Sequence, residues 1–254
     1  MYEYILREYA DYLNVKYETL LSEHHVICEA NEENDKKYGS YIPVKIMSFS
    51  NAPSLNDGTL IISVYPSYRE VIENYYNKFK SGIFDDEALL SLNENLKNPI
   101  LAEGYVNKNN PLNHSYVYAQ NKIERLNLNK IKENTVKIVP ENAYSNLTAF
   151  NFNKWFGKDQ ICYGTVIDNE IVSYAALNYP PEKKTASIGV GTIQRERCKG
   201  YALSNTVAVA KELIDNGNEV SYSCRYTNIP SQHIAKGAGF EFIAKIFGIY
   251  WEHI

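Results

Sequence analysis

The stretch that decides the fold is Val190-Gly191-Thr192-Ile193-Gln194-Arg195-Glu196-Arg197-Cys198-Lys199-Gly200-Tyr201-Ala202. Its pattern predicts a strand that runs into a turn, and the turn becomes the first turn of a helix. Helix N-termini hold anions well, because their backbone N–H groups are free and carry partial positive charge. Gly200 allows close approach of a ligand to the backbone, Ala202 leaves room, and Arg197 and Lys199 add positive charge. These residues predict a phosphate-binding site.

The stretch is neither of the two common nucleotide-binding motifs. It has no G-x-x-x-x-G-K-[ST] sequence, and of the glycines in a dinucleotide fingerprint it has only Gly200. A basic surface turn that merely caps a helix explains the same residues equally well when the stretch is taken alone.

A second helix start follows further along the chain. Asn228-Ile229-Pro230-Ser231 opens a short helix directly after a predicted strand, and Gly239-Phe240 ends it. Upstream, Asp168-Asn169 predicts a tight hairpin turn between two strands. From residue 135 onward the predicted order is β-α, a hairpin, then β-α-β-α-β.

Together these motifs resemble the GCN5-related N-acetyltransferase (GNAT) superfamily over residues 135–254. Arg197-Cys198-Lys199-Gly200-Tyr201-Ala202 is similar to the family's R-x-x-G-x-A pyrophosphate loop. Asn228, Ser231 and Gly239-Phe240 match its N-x-x-S…G-F helix, and the hairpin about Asp168-Asn169 matches the one that the family places upstream. The resemblance implies an α+β fold, in which a mixed sheet is flanked by helices.

The resemblance also implies a coenzyme site for acetyl-coenzyme A (acetyl-CoA), which would donate an acetyl group to a primary amine. Backbone groups of two strand residues would pair with the pantetheine arm, the loop would hold the pyrophosphate, and two residues of the later helix would make further contacts. The implied cofactor-binding residues are Val190, Thr192, Arg197, Cys198, Lys199, Gly200, Tyr201, Ala202, Asn228 and Ser231.

The catalytic residues do not transfer from the family to this chain. Many members have a tyrosine seven residues after the asparagine, as the acid for the leaving thiolate, and here that position is Ala235. The strand 185–191 also lacks the glutamate that often acts as base. His233, Tyr226 and Tyr201 are the candidates, and exposure of the histidine and packing of the tyrosines are the alternative interpretations.

The first half of the chain carries no motif that indicates chemistry. Its patterns predict a helix over 5–21 and then a polar stretch over 22–39 with an exposed turn or loop at 31–37. Strands at 41–47 and 58–64, a helix over 66–79, and a helix from 85 to 96 that Pro99 stops are predicted to follow. We expect a boundary near residues 127–135, with an N-terminal α+β lobe over 1–130 and the acetyltransferase domain over 135–254. The layout resembles the two-lobe acetyltransferases of the zwittermicin A resistance type. This resemblance implies that the front lobe helps to form the acceptor site. A degenerate acetyltransferase-like unit is one form that such a lobe can take.

Composition bounds the classes of function. The 254 residues are 44% apolar and 22% charged, with a net charge of -4, which argues against a nucleic-acid or anionic-membrane partner. The four cysteines lie far apart, which predicts free thiols, a cytoplasmic protein and no zinc site. We expect neither a signal peptide nor a membrane span. The 22 tyrosines are the one unusual count, and we expect most of them to pack.

The sequence leaves three hypotheses of function open. The first is an N-acetyltransferase that acts on a primary amine of a small molecule or a peptide. The missing tyrosine and glutamate favour the second, a non-catalytic acyl-CoA sensor. In the third, the chain is a structural module whose front half forms a homodimer.

Overall fold

The computed structural model describes residues 2–22, 25–31, 41–50, 58–107, 114–139, 161–178 and 184–253. Its helices are α1 Glu3–Leu13, α2 Tyr17–Ser22, α3 Arg69–Phe79, α4 Asp86–Ala102, α5 Tyr201–Asp215 and α6 Ile229–Ala238. Its strands are β1 His25–Glu29, β2 Tyr41–Phe49, β3 Leu60–Val64, β4 Tyr105–Asn107, β5 Ser115–Gln120, β6 Thr135–Lys137, β7 Cys162–Ile167, β8 Glu170–Leu177, β9 Thr185–Thr192, β10 Glu219–Arg225 and β11 Glu241–His253.

The chain separates into two compact units. The first consists of Met1, Leu6–Tyr116 and Ile243–Ile254, and the second of Tyr2–Ile5 and Val117–Phe242. The expected domains, 1–130 and 135–254, stay a prediction. No helix in the described part of the chain combines the length and the apolar character that a membrane crossing needs.

The first unit is built on the strand order β1-β3-β2-β11, with β4 on the other side of β11. β1 runs parallel to β3, whereas β2 pairs antiparallel with β3 and with β11. Helices α3 and α4 contribute to a core with the sheet, in which Ile72, Leu92 and Leu96 are fully buried.

Three local expectations for this unit were wrong. The predicted helix over 5–21 breaks after Leu13, because Asn14 adopts a left-handed backbone with φ 57°. No strand was expected in the polar stretch 22–39, but β1 lies there, and its long-range pairing with β3 stabilises it. Residues 32–37 of the loop expected at 31–37 lie outside the described residues. Pro99 does not stop α4, since Leu96 and Ile100 on its buried face are both 0% exposed and hold the helix in place.

The second unit has the strand order β5-β10-β9-β8-β7-β6. The hairpin between β7 and β8 is confirmed: Asp168 and Asn169 have φ values of 49° and 62°, the two positive values that a type I′ turn requires. Helix α5 is buried on all sides from Ser204 to Ala210, and Leu213 is buried as well. Parallel and antiparallel pairs occur together, so the expected mixed sheet with flanking helices is confirmed. The helix predicted to start at Pro140 lies outside the described residues.

Candidate functional site

Strands β9 and β10 run parallel only at their beginnings. The pairs Glu219–Thr185, Val220–Ala186 and Ser221–Ser187 form the whole register between them. Beyond Ser187, β9 continues against β8, where Leu177 pairs with Ile188 and Ser173 with Thr192. β10 goes on to Arg225 without a β9 partner. The two strands therefore diverge after Ser187 and Ser221 and leave an opening between them.

The backbone groups that face this opening follow from the alternation along β9. Ser187 O accepts from Asn178 N at 2.8 Å, and Ile193 N donates to Val172 O at 3.0 Å, so odd-numbered residues face β8. Neighbouring residues of a strand direct their N–H and C=O groups to opposite sides. Val190 and Thr192 consequently direct theirs toward the opening, where an extended ligand can pair with them as a strand would.

The loop after β9 forms a concave backbone surface at the start of α5. Cys198 and Gly200 both have positive φ values, 63° and 80°, and such alternation of backbone conformation turns successive N–H groups toward one point. The first backbone bond of α5 runs from Ser204 N to Gly200 O at 3.1 Å. The N–H groups at the preceding positions, including those of Tyr201 and Ala202, are left at the helix end, where an anion binds best.

Basic side chains surround this loop. Arg197 and Lys199 are exposed, with Arg197 Nε donating to Thr192 O at 3.3 Å and Lys199 Nζ lying 2.9 Å from Glu196 Oε2. The hydrogen bond to Glu196 raises the pKa of Lys199. A third cation is close, because Lys132 Cε lies 3.4 Å from where a Cβ on Gly200 would stand. Arg195, earlier in the same loop, pairs with Glu170.

Helix α6 begins beside the end of β10. Asn228 caps it, with Oδ1 accepting from Ser231 N at 3.2 Å, and Pro230 occupies the first turn. Ser231 Oγ lies 2.7 Å from Tyr222 Oη, and Tyr222 is only 1% exposed. The side chain of Asn228 is exposed, so its amide nitrogen can still reach a ligand while the oxygen caps the helix.

The structure separates the catalytic candidates. His233 is exposed on α6, whereas Ala235 is fully buried. Tyr226 is half-buried beyond the end of β10, and its carbonyl accepts from the Gln232 side chain. The Tyr201 ring lies 5.5 Å from Lys132 Nζ, a contact between a cation and an aromatic face. All three stay predictions as catalytic residues.

Sequence reasoning missed two polar groupings in this unit. Thr165, Ser173 and Thr192 lie side by side across β7, β8 and β9, and Ser173 Oγ is 2.8 Å from Thr192 Oγ1. Asn205 of α5 accepts from Thr165 Oγ1 at 3.2 Å. The second grouping is Tyr222 with Ser231. Alternation along β10 places Tyr222 on its buried face, but no sequence signal connects it with a residue nine positions later.

Burial changes the acidity of two further groups. Burial raises the pKa of Tyr222 to about 12, and the hydrogen bond with Ser231 opposes this shift. Glu219 has its pKa raised by burial, although it accepts a hydrogen bond from Ile5 N at 2.9 Å. Within the described ranges, no group of three or more His, Cys, Asp and Glu side chains is arranged to hold a metal ion.

Comparison with known proteins places the chain in a family. A family model described as GNAT acetyltransferase matches residues 42–249, most of the chain, and so extends well into the first half. The sequence matches none of the curated proteins with which it was compared.

Solved structures with a similar fold come from several bacteria. A GNAT-family protein of Novosphingobium aromaticivorans is 16% identical, with a TM-score of 0.48 over 59% of this chain and 68% of that one. An acetyltransferase of the GNAT family from Colwellia psychrerythraea is 15% identical, with a TM-score of 0.43 over 55% of this chain and 56% of its own. A GCN5-related N-acetyltransferase-like protein of Streptococcus suis is 14% identical, with a TM-score of 0.40 over 63% and 67%. At these values the likeness says nothing about substrate.

Proposed function

Because the chain belongs to the GNAT acetyltransferase family and is therefore an acyltransferase, we propose that it moves an acetyl group from acetyl-CoA to a primary amine of a small molecule or a peptide. The observation that carries the proposal is the divergence of β9 from β10 beside a basic, concave loop at the start of α5. The backbone edge of β9 at the divergence suits an extended amide-containing arm, and the basic loop at the start of α5 suits a pyrophosphate.

The described residues fit the coenzyme in charge and in geometry. Val190 and Thr192 offer the backbone edge to which the pantetheine arm would add, with Thr192 O also accepting from Arg197 Nε, and strand β8 pairs with the other edge of β9. The pyrophosphate would lie against the N–H groups from Arg197 to Ala202, with Arg197 and Lys199 adding charge. Asn228 would contact the pantetheine arm, and Ser231 would contact the coenzyme from α6.

The reaction needs a free amine and a polarised carbonyl. A primary alkylamine has a pKa near 10.4, so it must lose a proton before it attacks. β9 contains no carboxylate, and we infer that the proton leaves through water. The N–H of Thr192 or of a neighbour would polarise the thioester carbonyl, because backbone donors at the opening are already in place before the substrate arrives.

We also propose a division of roles along the chain. Residues 135–254 would form the acetyltransferase domain, and residues 1–130 a lobe that selects the acceptor or forms a homodimer, as in acetyltransferases of the zwittermicin A resistance type. We place the protein in the cytoplasm, since Cys28, Cys162, Cys198 and Cys224 are all free thiols. We propose no nucleic-acid, membrane or metal partner.

One observation favours a second function. Position 235, where many members of the family have the tyrosine acid, is an alanine, and its buried methyl group has no proton to donate. A chain that binds acyl-CoA without transferring the acyl group would be a sensor.

A titration followed by a transfer assay tests the proposal. Acetyl-CoA at about a hundred times its dissociation constant should add roughly 2.7 kcal/mol to stability and raise the melting temperature by several degrees. Absence of any shift would refute both the enzyme and the sensor. Release of free thiol is then followed with spermidine, glucosamine and a lysine-containing peptide as acceptors. Release above the hydrolysis rate with one of them supports the enzyme, and binding without release supports the sensor.

A further inference from the structure

Tyr222 occupies a distinctive place on β10. It is the first residue beyond the last pair between β10 and β9, Ser221–Ser187, and so lies where the two strands part. Its ring is 1% exposed and packs edge-on against Phe240, with 6.2 Å between ring centroids. Its hydroxyl crosses to α6 and meets Ser231 Oγ at 2.7 Å. A strand residue thus provides a phenol to helix α6, which begins beside the end of β10.

Of the two residues that carry these hydroxyl groups, Ser231 is the more exposed. Ser231 is half-buried, whereas Tyr222 is enclosed. Ser231 and Ala235 are four residues apart on α6, so they share one face of the helix, and His233 is turned away from that face and exposed. The proton that this face can offer to a ligand is therefore the hydroxyl proton of Ser231, with the hydroxyl of Tyr222 behind it.

We propose that Ser231 and Tyr222 form a two-hydroxyl relay that protonates the leaving thiolate, with Ser231 as the donor to sulfur and Tyr222 as the residue that positions and recharges it. This inference rests on the proposed acetyl transfer. As the amine nitrogen bonds to the acetyl carbon, the carbon–sulfur bond breaks and its electron pair goes to sulfur. The Ser231 proton moves to sulfur, the Tyr222 proton moves to Ser231, and a proton from water restores Tyr222. This last proton balances the one that the amine loses.

The environment of the pair keeps its phenol in the protonated form. Tyr222 keeps its proton through the neutral range, because burial raises its pKa to about 12. Cys224, on the same buried side of β10, is 8% exposed and its pKa is also raised by burial, so it does not compete as a charged nucleophile. A hydrogen bond with Ser231 and, to a smaller extent, the charge of Lys236 act on the pKa of Cys224 in the opposite direction.

The test separates binding from turnover in variants of the full chain. We expect Tyr222→Phe to lower kcat about tenfold and Ser231→Ala about a hundredfold, which is the low end for positioned proton transfer. For Tyr222→Phe the KM for acetyl-CoA should stay within about twofold of the unsubstituted value, since Tyr222 is enclosed and acts after binding. The double variant should be no slower than Ser231→Ala, and Ser231→Thr should restore most of the rate.

Tyr163→Phe is the matched control, because it removes a tyrosine hydroxyl that lies 2.8 Å from Glu212 in the same unit but on β7. It should leave kcat unchanged, and thermal unfolding of each variant identifies any folding defect. If Ser231 only contacts the coenzyme, Ser231→Ala raises KM with kcat unchanged and Tyr222→Phe has no effect, which overturns the relay alone. A chain that binds acetyl-CoA but acetylates none of the amines overturns both the relay and the proposed transfer.

Discussion

Replacement of Gly200 by glutamate tests the coenzyme site most directly. Gly200 caps α5 with φ 80°, and a Cβ there would meet only the Lys132 side chain, with Cε at 3.4 Å and Nζ at 3.9 Å, so the side chain has room. A residue with a side chain pays roughly 1–2 kcal/mol in stability for the left-handed backbone. A carboxylate about 4 Å from one phosphate charge costs about 1 kcal/mol in water and about 4 kcal/mol near a protein surface. We therefore expect Gly200→Glu to weaken acetyl-CoA binding between about fivefold and several hundredfold.

The control lies at the other end of the same helix. Gly217 has φ 81° with nothing within 4 Å of its Cβ position, so Gly217→Glu carries the same backbone strain and the same charge away from the loop. Gly200→Ala adds the strain without the charge. Isothermal titration of acetyl-CoA into the three variants separates the effects, and the two controls should bind within a few-fold of the unsubstituted chain. If Gly200→Glu binds as tightly as Gly217→Glu, the loop does not hold the pyrophosphate.

Three further perturbations test other parts of the structure. Ala235→Tyr should not restore a proton donor, because Ala235 is 0% exposed and overpacking costs about 1–3 kcal/mol in unfolding experiments; a more active variant of unchanged stability would contradict this. Burial, with a contribution from Lys245, lowers the pKa of His114 from 6.5 to about 4. As the pH falls, the unfolded chain therefore takes up the His114 proton at a higher pH than the folded chain does. The contribution of His114 to the free energy of unfolding is present in full above pH 6.5 and should fall by about 3 kcal/mol as the pH drops to 4. Denaturant titrations across this range should show the fall, and His114→Phe should remove it. Glu219→Ala should cost about 1–3 kcal/mol, since Ile5 N then loses its acceptor, and an unchanged melting temperature would refute the helix-anchoring role of Glu219.

Local signals predicted much of the second unit correctly. The Asp168-Asn169 turn forms because both residues tolerate positive φ, and α5 starts after Gly200 for the same reason. Asn228 and Pro230 start α6, since one caps the helix and the other needs no N–H acceptor. Each of these signals depends on residues within one turn of chain, which a sequence displays directly.

The errors in the first unit share a physical cause. β1 forms in a polar stretch because it pairs with β3, and Pro99 remains within α4 because the buried side chains Leu96 and Ile100 outweigh one lost hydrogen bond. Propensity within a short window cannot reveal either effect. Both depend on contacts between residues far apart in the sequence, and these contacts exist only after the chain folds.

The candidate site likewise depends partly on local sequence signals and partly on contacts between distant residues. The sequence by itself determined the left-handed turn at Gly200, the cap at Asn228 and the family, because glycine conformation, capping and motif order are properties of neighbouring residues. Only the tertiary structure decided that β9 leaves β10 after Ser187 and that Tyr222 meets Ser231. Strand register and side-chain contact are set by packing across the sheet, so the opening and the hydroxyl pair beside it come from the fold.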